Sequence, residues 1–242
     1  MGAALGHHLA RMLYLRLYLD CLRRAATGVR KSPWTLALPM IYLAINVVAG
    51  ILVSPLGIVG GFIMVIVADL CTSSFLYFVG EAVRSTPARP RELQRSFLAY
   101  FWPVVSFGFV LWMTRTILGY ALAANPQAAR IQLAVWLCAA VLLNAVPEVI
   151  YQKAEVGGIA IISESIRFIQ RHWIEWFIPN ALLLAGSWFA IQALMRLPFG
   201  LLLVPPVGGA LVYLVATFRG NLFHLLETTS PYQLKMRYRR GS

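Results

Sequence analysis

Charge is scarce in this chain, and negative charge most of all. Nine Asp and Glu stand against 21 Lys and Arg, and charged residues make up 12% of 242. Soluble domains carry about 25%, so an ordinary soluble globule is excluded. Reactive side chains are also few. Cys21, Cys71 and Cys138 are odd in number and lack CxxC or His spacing, so they frame neither a disulfide set nor a zinc site. His7 and His8 on the first surface helix, His172 at the elbow end and His224 near the end of span 6 read as interfacial residues. There is no HExxH, GxSxG, P-loop or paired-Asp pattern. The expectation is a protein with no catalytic residue, metal or cofactor. An intramembrane lipid-modifying enzyme, its site assembled from separate spans, is the one enzymatic reading such a scan leaves open. The first 30 residues interleave Arg with Leu, so no cleavable signal peptide is expected, and Gly6 stands where myristoylation needs Ser or Thr.

What the chain does hold is apolar sequence. Hydrophobic residues are 60% of it, in about six segments of the roughly 20 residues that cross 30 Å of hydrocarbon as a helix. The expected fold is an all-α membrane protein with six transmembrane helices in three hairpins, each preceded by a cytoplasmic amphipathic elbow. One integral membrane domain covers 1–242, with a surface helix at 6–31 and spans near 34–54, 57–80, 98–121, 131–151, 174–195 and 205–224. An elbow occupies 156–173, and a basic tail 228–242.

The elbow is the clearest device. Ile159, Ile162, Ile166, Ile169 and Trp173 fall three and four residues apart, forming one apolar stripe on a helix. Ser163, Glu164, Arg167, Gln170 and Arg171 lie mostly on the other side. An apolar stripe flanked by arginine and ended by Trp suits a helix lying in the membrane interface. On that reading Ile162, Ile166 and Ile169 turn toward the membrane. The first surface helix repeats the pattern, with Leu15, Leu19, Leu22, Ala26 and Val29 on one face and Arg16, Asp20, Arg23, Thr27 and Arg30 on the other. A shorter stripe, Leu93, Phe97 and Tyr100, precedes span 3. Trp34, Trp102 and Trp173, each with a proline close behind, mark a pattern repeated about every 70 residues.

The +12 excess lies between the spans rather than on one module, which points to anionic headgroups and away from nucleic acid. Lys and Arg number six before the first span, four in the 81–95 loop, three around the elbow and four in the tail after residue 219. With six spans those segments share one side, so both termini are expected in the cytoplasm. Within the spans, Asp69 lies near mid-membrane, Arg115 nearer the far end of span 3 and Glu148 near the cytoplasmic end of span 4. Asn46 and Asn144 are further polar candidates. Intramembrane charges are site candidates by default. Arg115 can reach toward Asp69 or snorkel outward, and Glu148 can be solvated. Gly57 and Gly61 offer a GxxxG contact. Pro205-Pro206 with Gly208-Gly209 suggests that span 6 starts or breaks there.

Pro147-Glu148-Val149-Ile150, followed by Gly158, Ala160-Ile161, Ser165, Arg167 and His172-Trp173, resembles the repeated element of bacterial six-span families of largely unknown function. These include the membrane region ahead of the catalytic domain in some glycerophosphodiester phosphodiesterases. The match covers about 40 residues well and the six-span outline loosely; the chain lacks the soluble phosphodiesterase barrel, so the resemblance implies architecture and no activity. The N-terminal amphipathic helix and six spans are also similar to permease subunits of export-type ABC transporters, in which the 81–95 loop would dock on an ATPase. The readings that follow are a non-enzymatic inner-membrane scaffold, accessory or lipid-organising protein, a transport permease, or the lipid enzyme above. The expected partners are an anionic bilayer and other membrane subunits.

Overall fold

The structure, a computed structural model, describes residues 2–153 and 157–228, with side chains from residue 16 onward. His7, His8, Leu15, Val156 and the basic tail lie outside what is described, wholly or in their side chains. The described residues are helical, without strands. The helices are α1 (Gly2–Lys31), α2 (Leu38–Val53), α3 (Ile58–Val83), α4 (Leu93–Ala99), α5 (Phe101–Ala121), α6 (Ala128–Leu142), α7 (Val146–Lys153), α8 (Gly158–Met195) and α9 (Gly200–Thr228). Short 3-10 turns at Pro33–Ala37, Ser54–Leu56 and Pro90–Glu92 join them.

Six stretches are long and apolar enough to cross a membrane: Pro33–Leu56, Ile58–Val83, Phe101–Ala121, Ala128–Lys153, Gly158–Met195 and Gly200–Thr228. Their large apolar side chains are mostly uncovered, among them Ile58, Phe62, Leu184 and Leu201. Such surfaces are stable against hydrocarbon and not against water. The chain is a multi-pass membrane protein.

The chain divides into two compact units. The first holds residues 1–45, 78–90 and 172–242. Here α1 packs along α9, and the 3-10 turn after α1 is pinned to the loop at 85–88. Ser32 Oγ accepts a 2.8 Å hydrogen bond from the Ala88 amide, Trp34 Nε1 donates to the Ala88 carbonyl at 3.2 Å, and Lys31 Nζ donates to the Ser85 carbonyl at 2.7 Å. Trp34 also meets Phe78 edge-on at 5.1 Å. Tyr213 of α9 donates to the Phe78 carbonyl at 2.9 Å.

The second unit holds 46–77 and 91–171. Its hairpin turn needs Gly57, whose φ of 55° and ψ of −124° suit only glycine. A Cβ on Gly57 or Gly61 would meet nothing within 4 Å, so the GxxxG pair makes no close helix contact among the described residues. The neighbour Gly60 does, lying against the Val53 carbonyl. Across α3 and α4, Ser73 Oγ donates to the Ser96 carbonyl at 3.2 Å and accepts from the Tyr100 amide at 2.8 Å, while the Ser74 and Ser96 hydroxyls share a hydrogen bond.

Two proline sites behave differently from expectation. Span 4 is not one helix: α6 ends at Leu142 and α7 begins at Val146. Pro147 has no N–H to return to Leu143 and its ring crowds the preceding turn, so the helix restarts with proline in its first turn. The Val146 amide turns to the Leu143 carbonyl at 3.1 Å, which leaves the Leu142 carbonyl without its helical donor. Span 6, in contrast, is unbroken. Pro205 and Pro206 sit inside α9, which starts at Gly200, before the expected 205. They fall in its second turn, so the carbonyls that lose donors belong to Leu201 and Leu202 at the helix start.

Candidate functional site

The elbow is the first part of α8. It begins at Gly158, and His172 interrupts it with non-helical angles (φ −129°, ψ 24°), so the elbow and the span that follows are two helices joined by a kink. At about 100° per residue, residues 158–173 divide into three adjoining sectors. Gly158, Ile161, Ser165, Phe168 and Ile169 are buried and form the protein side. Ile159, 76% exposed, and the half-buried Ile162 and Ile166 form an apolar stripe beside it, and Trp173, 60% exposed, follows at the kink. Ser163, Glu164, Arg167, Gln170 and Arg171 form the polar remainder.

Ile169 is therefore misplaced in the expected membrane-facing set. It is 3% exposed and packs into the protein, because it sits one turn from Ser165 and beside Phe168 on the docked face. The docking itself is made by small residues and freed backbone groups. Gly158 N donates to Ser106 Oγ of α5 at 2.8 Å, and a Cβ on Gly158 would stand 2.6 Å from the Ser106 carbonyl oxygen. Ser165 Oγ donates at 2.9 Å to the Leu142 carbonyl, the group that the break before Pro147 leaves open. On the polar sector Glu164 bridges Lys153 at 2.7 Å and Arg167 at 2.9 Å.

The first surface helix is built alike, with the expected polar face open or half-buried and a third face, which the expectation did not name, turned to the protein. Leu17, Cys21, Ala25 and Val29 are buried, together with Gly28, whose Cβ would collide with the Ala82 carbonyl. Leu19 and Leu22 are exposed at 46% and 51%, and Ala26 is exposed too. Of the expected apolar face, Leu19, Leu22 and Ala26 are thus outward and Val29 is buried. A narrower stripe of small residues faces the protein. Burial pushes the Cys21 thiol up to about 12, with Asp20 adding to the effect and Arg24 opposing it. Tyr18 donates to the Glu175 carbonyl at 3.4 Å, a group that Pro179, four residues on, cannot bond. Close by, Trp176 is fully buried, edge-on to Phe223 and 5.0 Å beneath the Arg219 guanidinium.

The charged intramembrane candidates do not converge. Asp69 and Arg115 form no ion pair or hydrogen bond among the described residues; Asp69 is half-buried and Arg115 exposed. Glu148 is not solvated but 2% exposed, on α7 beside the equally buried Val149 and Ile150. Asn46 hydrogen-bonds to the Cys71 thiol. Asn144 is half-buried in the break between α6 and α7. Arg115 instead lines an open groove of about 540 Å³ with Trp112, Thr116, Gly119, Tyr120 and Ala123. No His, Cys, Asp and Glu cluster suited to a metal occurs among the described residues.

Of the residues that do the docking, Gly158 and Ser165 enter the sequence reading only through the resemblance, and Ser96, Gly28 and Tyr18 do not enter it. A signal existed in the small residues at three- and four-residue spacing beside each apolar stripe, and in Pro147 and Pro179 as sources of open carbonyls. No protein-family model, curated protein or solved structure matches the chain.

Proposed function

We propose that this is a non-enzymatic inner-membrane protein that organises lipid around elbow helices at the cytoplasmic face, with both termini in the cytoplasm. The observation that supports this reading best is the three-sector division of residues 158–173. One sector is clamped to the protein, one is apolar and uncovered, and one is charged. A helix so divided presents its apolar stripe to acyl chains and Arg167 and Arg171 to headgroups. Leu19 and Leu22 on α1, and Leu98 and Trp102 around the start of α5, offer comparable uncovered apolar surface. The role is that of a scaffold or accessory subunit, which sets the lipid neighbourhood of other membrane proteins.

The permease reading leaned on a broken span 6 and on Asp69 and Arg115 lining a path. In the structure α9 is continuous, so a break in span 6 does not count toward that reading. The test uses vesicles carrying spin-labelled phosphatidylglycerol or phosphatidylcholine. The wild-type chain should immobilise more of the anionic lipid, and Ile162→Asp with Ile166→Asp should lower that fraction toward the phosphatidylcholine value. Equal fractions for the two lipids, or a stoichiometric ATPase retained from native membranes, would reject lipid organisation in favour of transport.

A further inference from the structure

The groove around Arg115 lies outside the elbows, and its chemistry is distinct. Arg115 is 14 residues into α5 and six from its end at Ala121, so its Cα stands roughly 9 Å from that end by helical rise. This is the end away from the 81–95 loop. The guanidinium has no ion pair or hydrogen bond among the described residues. A long side chain at this depth extends to the headgroup layer of the nearer leaflet. A cation brought out of hydrocarbon into that layer is stabilised by an anion, and Arg presents a fork matched to phosphate oxygens.

The surroundings are shaped for a lipid rather than for a free ion. Trp112, Thr116, Gly119 and Tyr120 recur at helical spacing on the same face as Arg115. Gly119 makes the floor: a Cβ there would meet nothing within 4 Å, so the missing side chain is what opens the notch. Tyr120, 81% exposed and one residue from the helix end, stands at the boundary between headgroup and acyl chain, where such a ring settles, while Trp112, 58% exposed and nine residues from that end, lies deeper along the acyl chain. Thr116 adds a hydroxyl-bearing side chain to the same lining.

We propose that this groove binds the phosphate of an anionic phospholipid in the leaflet opposite the 81–95 loop. Arg115 takes the phosphate oxygens, Gly119 gives the headgroup room, Tyr120 flanks the glycerol and Trp112 lies against the acyl chain below it. The site does not depend on the elbows, and it gives the chain a lipid contact in the second leaflet.

The test is native mass spectrometry on the full chain in mild detergent, offered phosphatidylglycerol or phosphatidylcholine. The wild type should retain one tightly held phosphatidylglycerol that Arg115→Gln holds roughly tenfold more weakly, as expected for loss of one charge-assisted contact. Gly119→Leu should lose the same lipid with Arg115 intact. Because the added side chain enters open space, this variant decides the matter if Arg115→Gln does not fold. Ile166→Asp, which alters the elbow, should leave this lipid in place. Retention unchanged in Gly119→Leu, or equal for the two lipids, overturns the proposal. Displacement of the lipid by millimolar inorganic phosphate would show a free-anion site and overturn it equally.

Discussion

A glycine at a helix crossing is a residue whose worth lies in what it leaves out. Gly158 lets the start of α8 approach the α5 backbone until the Ser106 hydroxyl accepts its amide. Gly158→Val would drive a side chain into the Ser106 carbonyl, which is backbone and has no rotamer to yield. A cost of about 1–3 kcal/mol is expected from overpacking. It should appear as a lower thermal midpoint in detergent, while Gly61→Val, which enters open space, should leave the midpoint near wild type. Cys21 makes the complementary case. With its thiol pushed up to about 12 by burial, it holds roughly a thousandfold less thiolate near pH 8 than an ordinary cysteine, and the thiolate is the nucleophile. Maleimide should therefore leave Cys21 unmodified in folded protein up to pH 9, and modify it once detergent denaturation releases α1. Modification at pH 7 in the folded state would mean that α1 does not pack through its Cys21 face.

At the scale of the element, the elbows show which part of an architecture a sequence discloses. The stripe of Ile159, Ile162 and Ile166 and the arginines beside it follow from period alone. Which apolar sector meets protein does not, because lipid and protein interior are nearly equal solvents for a leucine or isoleucine. Hydrophobicity then loses its power to choose a face, and the inner face is marked by smallness instead: Cys21, Ala25 and Gly28 on α1, Gly158 and Ser165 on α8. For the same reason Ile169 looked like a member of the stripe and is not. Prolines were legible as disturbances but not in their outcome, since Pro147 restarts a helix and Pro205-Pro206 are carried inside one. The Ser165 hydroxyl satisfies a carbonyl exposed by the first of these. Ser165→Ala should cost about 1 kcal/mol, and the double variant Pro147→Ala with Ser165→Ala should cost less than the two single changes summed if the carbonyl is what couples them. Additive costs in that double-mutant cycle would remove the link.

At the scale of the whole molecule, orientation rests on charge, the one property that the bilayer sorts by side. Four arginines crowd the 81–95 loop: Arg84, Arg89, Arg91 and Arg95. The link between α5 and α6, residues 122–127, has no Lys or Arg at all, and Arg130 stands just inside α6. Each basic residue held back from translocation adds to the bias, and short loops close to the spans weigh most. The contact of Ser32 and Trp34 with Ala88 ties the end of α1 to this loop, so the two basic segments must share a side whichever way the chain inserts. Orientation is then a single choice for both. Single cysteines placed at Thr86 and at Gln127, in a background with Cys21, Cys71 and Cys138 changed to Ala, test it in intact cells. An impermeant maleimide should label position 127 from outside and reach position 86 only after the cells are opened. The reverse result would invert the chain and put the elbows in the outer leaflet. Labelling of both positions from outside would deny that α5 crosses the membrane, and with it the depth assigned to Arg115.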